Sequence, residues 1–505
     1  MRATLQVFRP SLRGLARAGV VLLAFLLASP ARPQAPPIPD RPEQLSFKPL
    51  SFEPPRARDH RVVLKNGMVV YIAEDRALPL VNLGLTLRVG RYLEPAGKEG
   101  LAALTGAQMR RGGTKRLGAE QFDERLEFLA AQMSAGIADT AGSAGLNCLR
   151  DNLDESLALL VEMLKEPRFQ EERLALAKEQ ALQDIKKRND DAGDIEGREW
   201  NVLTYGEGHF TNRFTTEASV RSITRDDLLA FHHKWVHPAN MVAAVSGSFA
   251  RGDMLARLEK AFAAWPTPRP EVPPVPATID PVAPGLYRIQ KDVNQGRVSL
   301  GLPSVRRDSP DIYALEVMNE VLGGSGFNSR ITRVVRSNEG LAYSAGSGIG
   351  FGVYYPGRFR AGFQSKSRSV PYATKLVLDE VRRIRDTPVS EAELDVVKSN
   401  LITTFPSSFA SAAQSMGVFS ADEYTKRDPA FWTTYRDRIR AVTAADVQRV
   451  ARQHLAPEKM VLLVVGNHAE IDKGDGVHDA VLAKLMPGGK DLTLALRDPL
   501  TMKRP

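Results

Sequence analysis

Six positions recur along this chain at one constant separation, and that recurrence narrows the folds open to it more than any other feature. Ile223, Thr224, Asp227, Pro238, Met241 and Gly247 are matched by Val442, Thr443, Asp446, Pro457, Met460 and Gly466, each pair 219 residues apart. In both copies Thr is placed to cap a helix, Pro follows that helix, and an apolar strand-like run (242–245 and 461–465) ends at Gly. Self-similarity at a fixed offset is the mark of a duplicated unit. The chain is therefore expected to contain two domains of one fold that share a surface.

Length agrees with that division, since 505 residues with 43% apolar content exceed one ordinary core. Two Pro-rich stretches without a periodic apolar face separate the parts. The expected organisation is a leader at 1–31, a linker at 32–57, a first domain at 58–265, a second linker at 266–285, a second domain at 286–488 and a tail at 489–505. The leader carries Arg2, Arg9, Arg13 and Arg17 without an acid, then an apolar run over 18–28 and Ser29-Pro30-Ala31. That is the layout of a signal peptide, with cleavage after Ala31 or Ala35. Its apolar run is shorter than the roughly 18 to 20 residues a spanning helix needs. The expectation is a periplasmic or otherwise exported protein with no stable membrane insertion after signal cleavage; an uncleaved anchor is the alternative.

Loss of the four leader arginines lowers the formal charge from +9 to +5, and no Lys/Arg block is interleaved with aromatics. Nucleic acid is not an expected partner. The single cysteine, Cys148, leaves no internal disulfide to form, so packed cores must supply the stability.

Arg61–Leu64, Asn66-Gly67 and Met68–Ile72 read as a hairpin with a tight primed turn, and a strand-like run follows over 83–89. Stretches 100–109, 119–131, 153–164 and 170–188 show helical apolar spacing. Strands and helices alternate without a short βαβ rhythm, which favours α+β.

Further landmarks are Gly100-Leu101-Ala102 leading to Gly113-Thr114, then Tyr205-Gly206 with His209, the repeated Thr–Pro–Gly block, and Arg336-Ser-Asn-Glu-Gly-Leu-Ala-Tyr343. In this order and spacing the chain resembles the M16 (insulinase/pitrilysin-like) metallopeptidases over roughly residues 58–485. The resemblance implies tandem M16-type α/β sandwich domains forming half of a clamshell. Active members carry His-x-x-Glu-His on the helix that begins here at Gly100: two His bind zinc and the Glu activates water. The match places Ala103 and Ala107 at the histidines and Gly106 at the glutamate, with the downstream carboxylate ligand near Asp184. No metal or other cofactor is thus expected in this chain. If the placement holds, Ala103→His, Gly106→Glu, Ala107→His and Asp184→Glu would restore a zinc site.

The second half keeps what the first has lost. Arg336 and Tyr343 match a family pair that holds the substrate backbone and stabilises the tetrahedral intermediate. Spacing alone favours an Arg at a helix end and a core-packed strand Tyr, and the resemblance reverses that preference. His233 and His237 stand four apart beside His232, but no Glu follows at motif spacing. Gly323-Gly324-Ser325-Gly326 lacks the Lys-Ser/Thr of a phosphate loop and reads as a flexible turn before a helix over 327–336. Ser344 and Ser347 lack the context of a nucleophile. What the resemblance implies is a non-catalytic subunit of a heterodimeric zinc metalloendopeptidase, inactive alone. It would supply Arg336 and Tyr343 to a zinc-bearing partner with His-x-x-Glu-His and a shared peptide substrate. The alternative is a catalytically inert peptide-binding or scaffold protein of the same fold.

Overall fold

The computed structural model describes residues 51–505 apart from 264, 266–270 and 487, together with Arg41 and Leu45. The segment read as a signal peptide, most of the 32–57 linker and part of the 266–285 linker lie outside the described residues. From Phe52 onward the chain forms one compact unit.

Two sheets of six strands organise that unit. The first contains β1 (Arg61–Val63), β2 (Val69–Glu74), β3 (Leu80–Leu87), β4 (Gln132–Ile137), β5 (Gly142–Leu149) and β6 (Met241–Gly247), in the order β1-β2-β6-β3-β5-β4. The second contains β7 (Gly285–Gln290), β8 (Gln295–Pro303), β9 (Ala342–Ile349), β10 (Arg358–Lys366), β11 (Val461–Gly466) and β12 (Lys490–Thr493), in the order β12-β7-β11-β8-β10-β9. Leaving out β1 and β12, each sheet sets its strands side by side as first, fifth, second, fourth and third. In each, the fifth runs parallel to the first and antiparallel to the second. This is the duplication that the constant offset predicts.

Helices α1 (Leu101–Arg111), α2 (Ala119–Phe128), α3 (Leu153–Lys165), α4 (Glu171–Lys187), α5 (Ala192–Tyr205), α6 (Arg225–Trp235) and α7 (Arg251–Ala263) belong to the first half by sequence. The second half supplies α8 (Ile312–Asn319), α9 (Val370–Asp386), α10 (Glu391–Thr404), α11 (Ala412–Thr425), α12 (Phe431–Ala441) and α13 (Ala444–His454). The repeated block explains two of them. Thr224 Oγ1 accepts the amide of Asp227 at 3.2 Å while Asp227 accepts the amide of Thr224 at 2.8 Å. Thr443 and Asp446 make the same reciprocal pair, both at 3.1 Å. Each such box satisfies amide donors that the first helical turn leaves free. Pro238 and Pro457 then open 3-10 turns that deliver the chain to β6 and β11.

The halves exchange one helix each. Helix α5 lies on the second sheet, burying Ile195, Trp200 and Leu203 against Tyr287, Ile289, Val461, Leu463 and Val465. Helix α11 lies on the first sheet against β2 and β6. There Tyr71 and Val242 join the core of the second half, with the Tyr71 and Phe419 rings 5.7 Å apart. Burial of a large apolar side chain contributes about 1.5–3 kcal/mol, so the shared surface is a principal source of cohesion.

Three sequence readings need correction. Gly67 has φ +88 but Asn66 does not reach positive φ, and the Gly67 amide donates to Leu64 O at 2.8 Å. The hairpin therefore closes through a type I turn with Gly in the left-handed position, in place of a primed two-residue turn. Segment 489–505 is no free tail: β12 pairs in parallel with β7, and a Cβ on Gly285 (φ +144) would lie 2.2 Å from Lys490 O. Further on, buried Arg497 donates to Glu199 of α5 at 2.9 Å and Arg504 donates to the other oxygen at 2.5 Å. The glycine run at 323–326 is a close-packed crossing, since a Cβ on Gly323 would lie 2.3 Å from Ser347 N. It is followed by 3-10 and π-helical turns (Gly326–Asn328 and Thr332–Asn338) in place of a regular helix over 327–336.

Candidate functional site

Helix α1 occupies the place where the resemblance puts a zinc motif. Gly100 starts it at φ +104, and buried Glu94 caps it, accepting the amides of Gly100 at 3.1 Å and Ala102 at 2.8 Å. Burial pushes the Glu94 carboxyl above its ordinary value. One turn on, α1 is pressed onto β4: a Cβ on Gly106 would lie 2.4 Å from Ile137 N and 2.7 Å from Gly136 C. Ala103 is exposed, Ala107 is half-buried, and Asp184 on α4 is exposed. The three motif positions offer no donor, and a glutamate at 106 would collide with the β4 backbone. These residues do not fit a zinc ion, and the four-residue restoration set out above fails on sterics at Gly106.

The histidine cluster is structural in its contacts. His232 is buried and its Nε2–H donates to Leu164 O at 2.7 Å; burial pushes its pKa down to about 4. Helix α6 ends at Trp235 and His237 follows in an extended conformation, so His233 and His237 do not share a helix face. Among the described residues no group of three His, Cys, Asp or Glu is placed to hold a metal.

Arg336 and Tyr343, by contrast, are brought together. Arg336 sits in the π-helical segment, whose end is closed by the Leu341 amide on Val335 O at 2.9 Å; Gly340, at φ +62, turns the chain into β9. The half-buried guanidinium lies between two rings, 4.4 Å from the Phe327 centroid and 4.8 Å from that of Tyr343. Both rings are outside the core, Phe327 66% and Tyr343 85% exposed, which contradicts the core-packed Tyr alternative. The two rings hold the charge by cation–π attraction, which leaves its N–H groups for other partners. Among the described residues no hydrogen-bond or ion-pair partner takes them.

Both residues line a cleft of about 920 Å³ on the polar face of the second sheet. Its floor is built by Arg297 on β8 and by Arg360, Gln364 and Lys366 on β10, with Glu196 reaching in from the exchanged helix α5. A second cavity of about 900 Å³ adjoins it through Gly348 and Arg360 and is lined by Trp200, Tyr205, Phe351, Tyr354, Tyr355 and Tyr424 among others. His209 packs behind that wall, its ring 4.7 Å from Tyr355 and 5.1 Å from Tyr205. The sequence reading missed Phe327 and the charged floor. The alternation Arg358-Phe-Arg360-Ala-Gly-Phe-Gln364-Ser-Lys366 was the available signal, since period-2 spacing of charge marks one solvated sheet face.

Comparison with known proteins places this geometry. The model described as insulinase (peptidase family M16) matches residues 69–199, and the one described as peptidase M16 inactive domain matches residues 222–401. The chain is 26% identical over 419 residues to the non-peptidase homolog YmxG of Helicobacter pylori, covering 81% of this chain and 94% of that one. It is 24% identical over 404 residues to the zinc protease PqqE of Helicobacter pylori, covering 78% and 89%. A crystal structure of a peptidase M16 inactive domain from Pseudomonas fluorescens, 26% identical, superposes with a TM-score of 0.72 over 80% of this chain and 97% of that one. The periplasmic protease PqqL from Escherichia coli, 15% identical, shares the fold with a TM-score of 0.68, over 89% of this chain and 50% of that one. With duplicated sheets, exchanged helices and a model of one family matched in each half, this chain belongs to the M16 (insulinase) peptidase family.

Proposed function

We propose that this chain is an exported, zinc-free M16 subunit that contributes Arg336 and Tyr343 to peptide hydrolysis carried out with a zinc-bearing partner. The observation that carries the reading is the Arg336 guanidinium, held against the Phe327 and Tyr343 rings in an open cleft with its N–H groups untaken among the described residues. Helix α1 supports the other half of the reading, because its motif positions hold Ala103, Gly106 and Ala107.

The partner's metal would supply a water of lowered pKa. This chain's residues do the rest. One N–H of the guanidinium holds a peptide carbonyl, and the exposed phenol donates one hydrogen bond to the oxygen on which charge develops. Because that bond strengthens only as charge develops, it acts on turnover more than on affinity.

The test is reconstitution with an M16 chain carrying His-x-x-Glu-His. Tyr343→Phe is expected to lower turnover about a hundredfold while assembly and melting temperature stay unchanged. Unchanged turnover at unchanged assembly would remove the catalytic role and leave an inert peptide-binding or scaffold protein.

A further inference from the structure

We propose that the cleft beside Arg336 selects acidic peptides, binding a side-chain carboxylate between Arg336 and Lys366. The inference rests on the reading of this cleft as a peptide site and adds its substrate class.

Charge carries the argument. Four cations line the cleft, Arg297, Arg336, Arg360 and Lys366, against the single carboxylate of Glu196. That carboxylate is already spent: buried Glu196 accepts from Arg297 Nε at 2.8 Å, Arg360 Nη2 at 2.8 Å and Ser299 Oγ at 2.6 Å. Arg297 is further tied to Gln364 Oε1 at 2.9 Å and Arg360 to Ser299 Oγ at 2.6 Å. These two arginines form a fixed positive floor. Arg336 and Lys366 have no carboxylate within ion-pair distance among the described residues. Antiparallel pairing sets Ser365 opposite Ala342, so Lys366 and Tyr343 stand on neighbouring strands one residue to either side of that pair. A cleft with four cations against one carboxylate, a net of three positive charges, and protein walls concentrates the field on whatever enters it.

The geometry favours a peptide carboxylate over other anions. Arg336, held against the Phe327 and Tyr343 rings, has N–H groups beyond the one a peptide carbonyl would take, and these suit the oxygens of a carboxylate. The aromatic cavity that shares Arg360 with the cleft would accept an apolar residue of the same peptide. An extended segment with an acidic and an apolar residue answers both.

The experiment is equilibrium binding to the purified chain alone, so it does not depend on a partner or on turnover. The probes are three octapeptides with blocked termini, identical but for a central Glu, Gln or Lys. The Glu peptide is expected to bind on the order of tenfold more tightly than the Lys peptide at low ionic strength, with the Gln peptide between and the differences shrinking in 0.5 M salt, where roughly 4 Å screening lengths apply. Lys366→Gln should narrow the Glu-over-Gln ratio, and Lys366→Glu should reverse it. Equal binding of the three, no binding of any, an unchanged preference in Lys366→Glu, or displacement of the Glu peptide by equimolar inorganic phosphate would overturn the assignment. If the Glu preference holds while Tyr343→Phe leaves reconstituted turnover unchanged, the catalytic proposal falls and the acidic preference stands.

Discussion

The two edge strands β4 and β9 occupy the same place in their sheets, and each is met by a glycine from the helical chain that precedes it. A Cβ on Gly106 would lie 2.4 Å from Ile137 N; a Cβ on Gly323 would lie 2.3 Å from Ser347 N. Counting four residues back from each contact gives Met133 on β4 and Tyr343 on β9. Met133 is 9% exposed and Tyr343 is 85% exposed. In the first half a regular helix, α2, follows the contact, and Arg110 of α1 ties to its Asp123 at 2.6 Å. In the second half 3-10 and π-helical turns follow, and they leave Phe327, Arg336 and Tyr343 on the surface. Duplication preserved the contact that fixes the edge strand, and the two halves diverged in what they built over it.

The largest expected effect breaks that contact. Gly106→Glu, alone or with Ala103→His and Ala107→His, forces a side chain into the β4 backbone and buries a charge, costing upward of about 5 kcal/mol. Thermal melting and soluble yield check it, and Gly323→Ala should also destabilise because Ser347 meets it with backbone. A triple variant that melts normally and binds zinc would show that α1 can withdraw from β4.

How far the sequence reveals this depends on how local each signal is. The capping boxes at Thr224 and Thr443 were legible because Thr and Asp three apart declare their own hydrogen bonds, and the strand ends at Gly247 and Gly466 followed. The Arg336–Tyr343 pair was legible through family spacing. The exchange of α5 and α11 was not, since an apolar stripe does not say which sheet it will cover. Strand β12 escaped notice because Lys490–Thr493 is four exposed residues whose pairing depends on Gly285, some two hundred residues earlier. Phe327 was hidden behind a glycine run whose close packing depends on β9.

A second contrast lies in how α4 and α10 begin. The fourth residue counted from the cap of α4 is Arg173 and no side chain caps Gln170, whereas α10 has Glu393 in a box with Ser390. Glu393 also accepts both forks of buried Arg330, at 2.8 and 2.9 Å, just ahead of the segment that carries Arg336. Arg330 holds its carboxyl down to about 2. With the folded value below the unfolded one of about 4.3, the bond's full contribution is present above about pH 5 and is lost as the pH falls toward 2. Glu393→Gln leaves Arg330 buried without its charge partner and should cost about 3–5 kcal/mol. Denaturant unfolding from pH 7 to 3 checks both: the wild type should converge on the variant as acid is added.

Position 232 and its copy 219 residues on differ in the opposite direction. Ala451 is a fully buried small residue, while His232 is a buried imidazole donating to Leu164 O. Burial lowers the His232 pKa to about 4, against roughly 6.5 in the unfolded chain. Its neutral form is the folded one, so stability is complete above about pH 6.5 and declines as the pH falls toward 4, by up to about 3 kcal/mol. His232→Gln keeps a donor without the titration. A pH-stability curve for that variant with the same slope between 6.5 and 4 would assign the slope elsewhere.

The smallest effect tests whether the exchanged helices are held alike. Glu196 of α5 is buried among Arg297, Arg360 and Ser299. Glu423 of α11 accepts Arg61 Nε and Nη2, both at 3.0 Å, and the Tyr71 hydroxyl at 2.8 Å, but the Arg61 side chain is 39% exposed. The hydrogen bonds from Arg61 hold the Glu423 carboxyl below its ordinary value. An ion pair that water can reach contributes about 1 kcal/mol or less, so Glu423→Gln should shift the urea midpoint slightly, and less again in high salt. The apolar contacts of Phe419 with Tyr71 then hold α11 more firmly than this ion pair does, and Phe419→Ala would remove them at about 3–5 kcal/mol. Were Glu423→Gln as damaging as Phe419→Ala, the two halves would be joined on this side by charge, and the likeness between the exchanged helices would be closer than their burial implies.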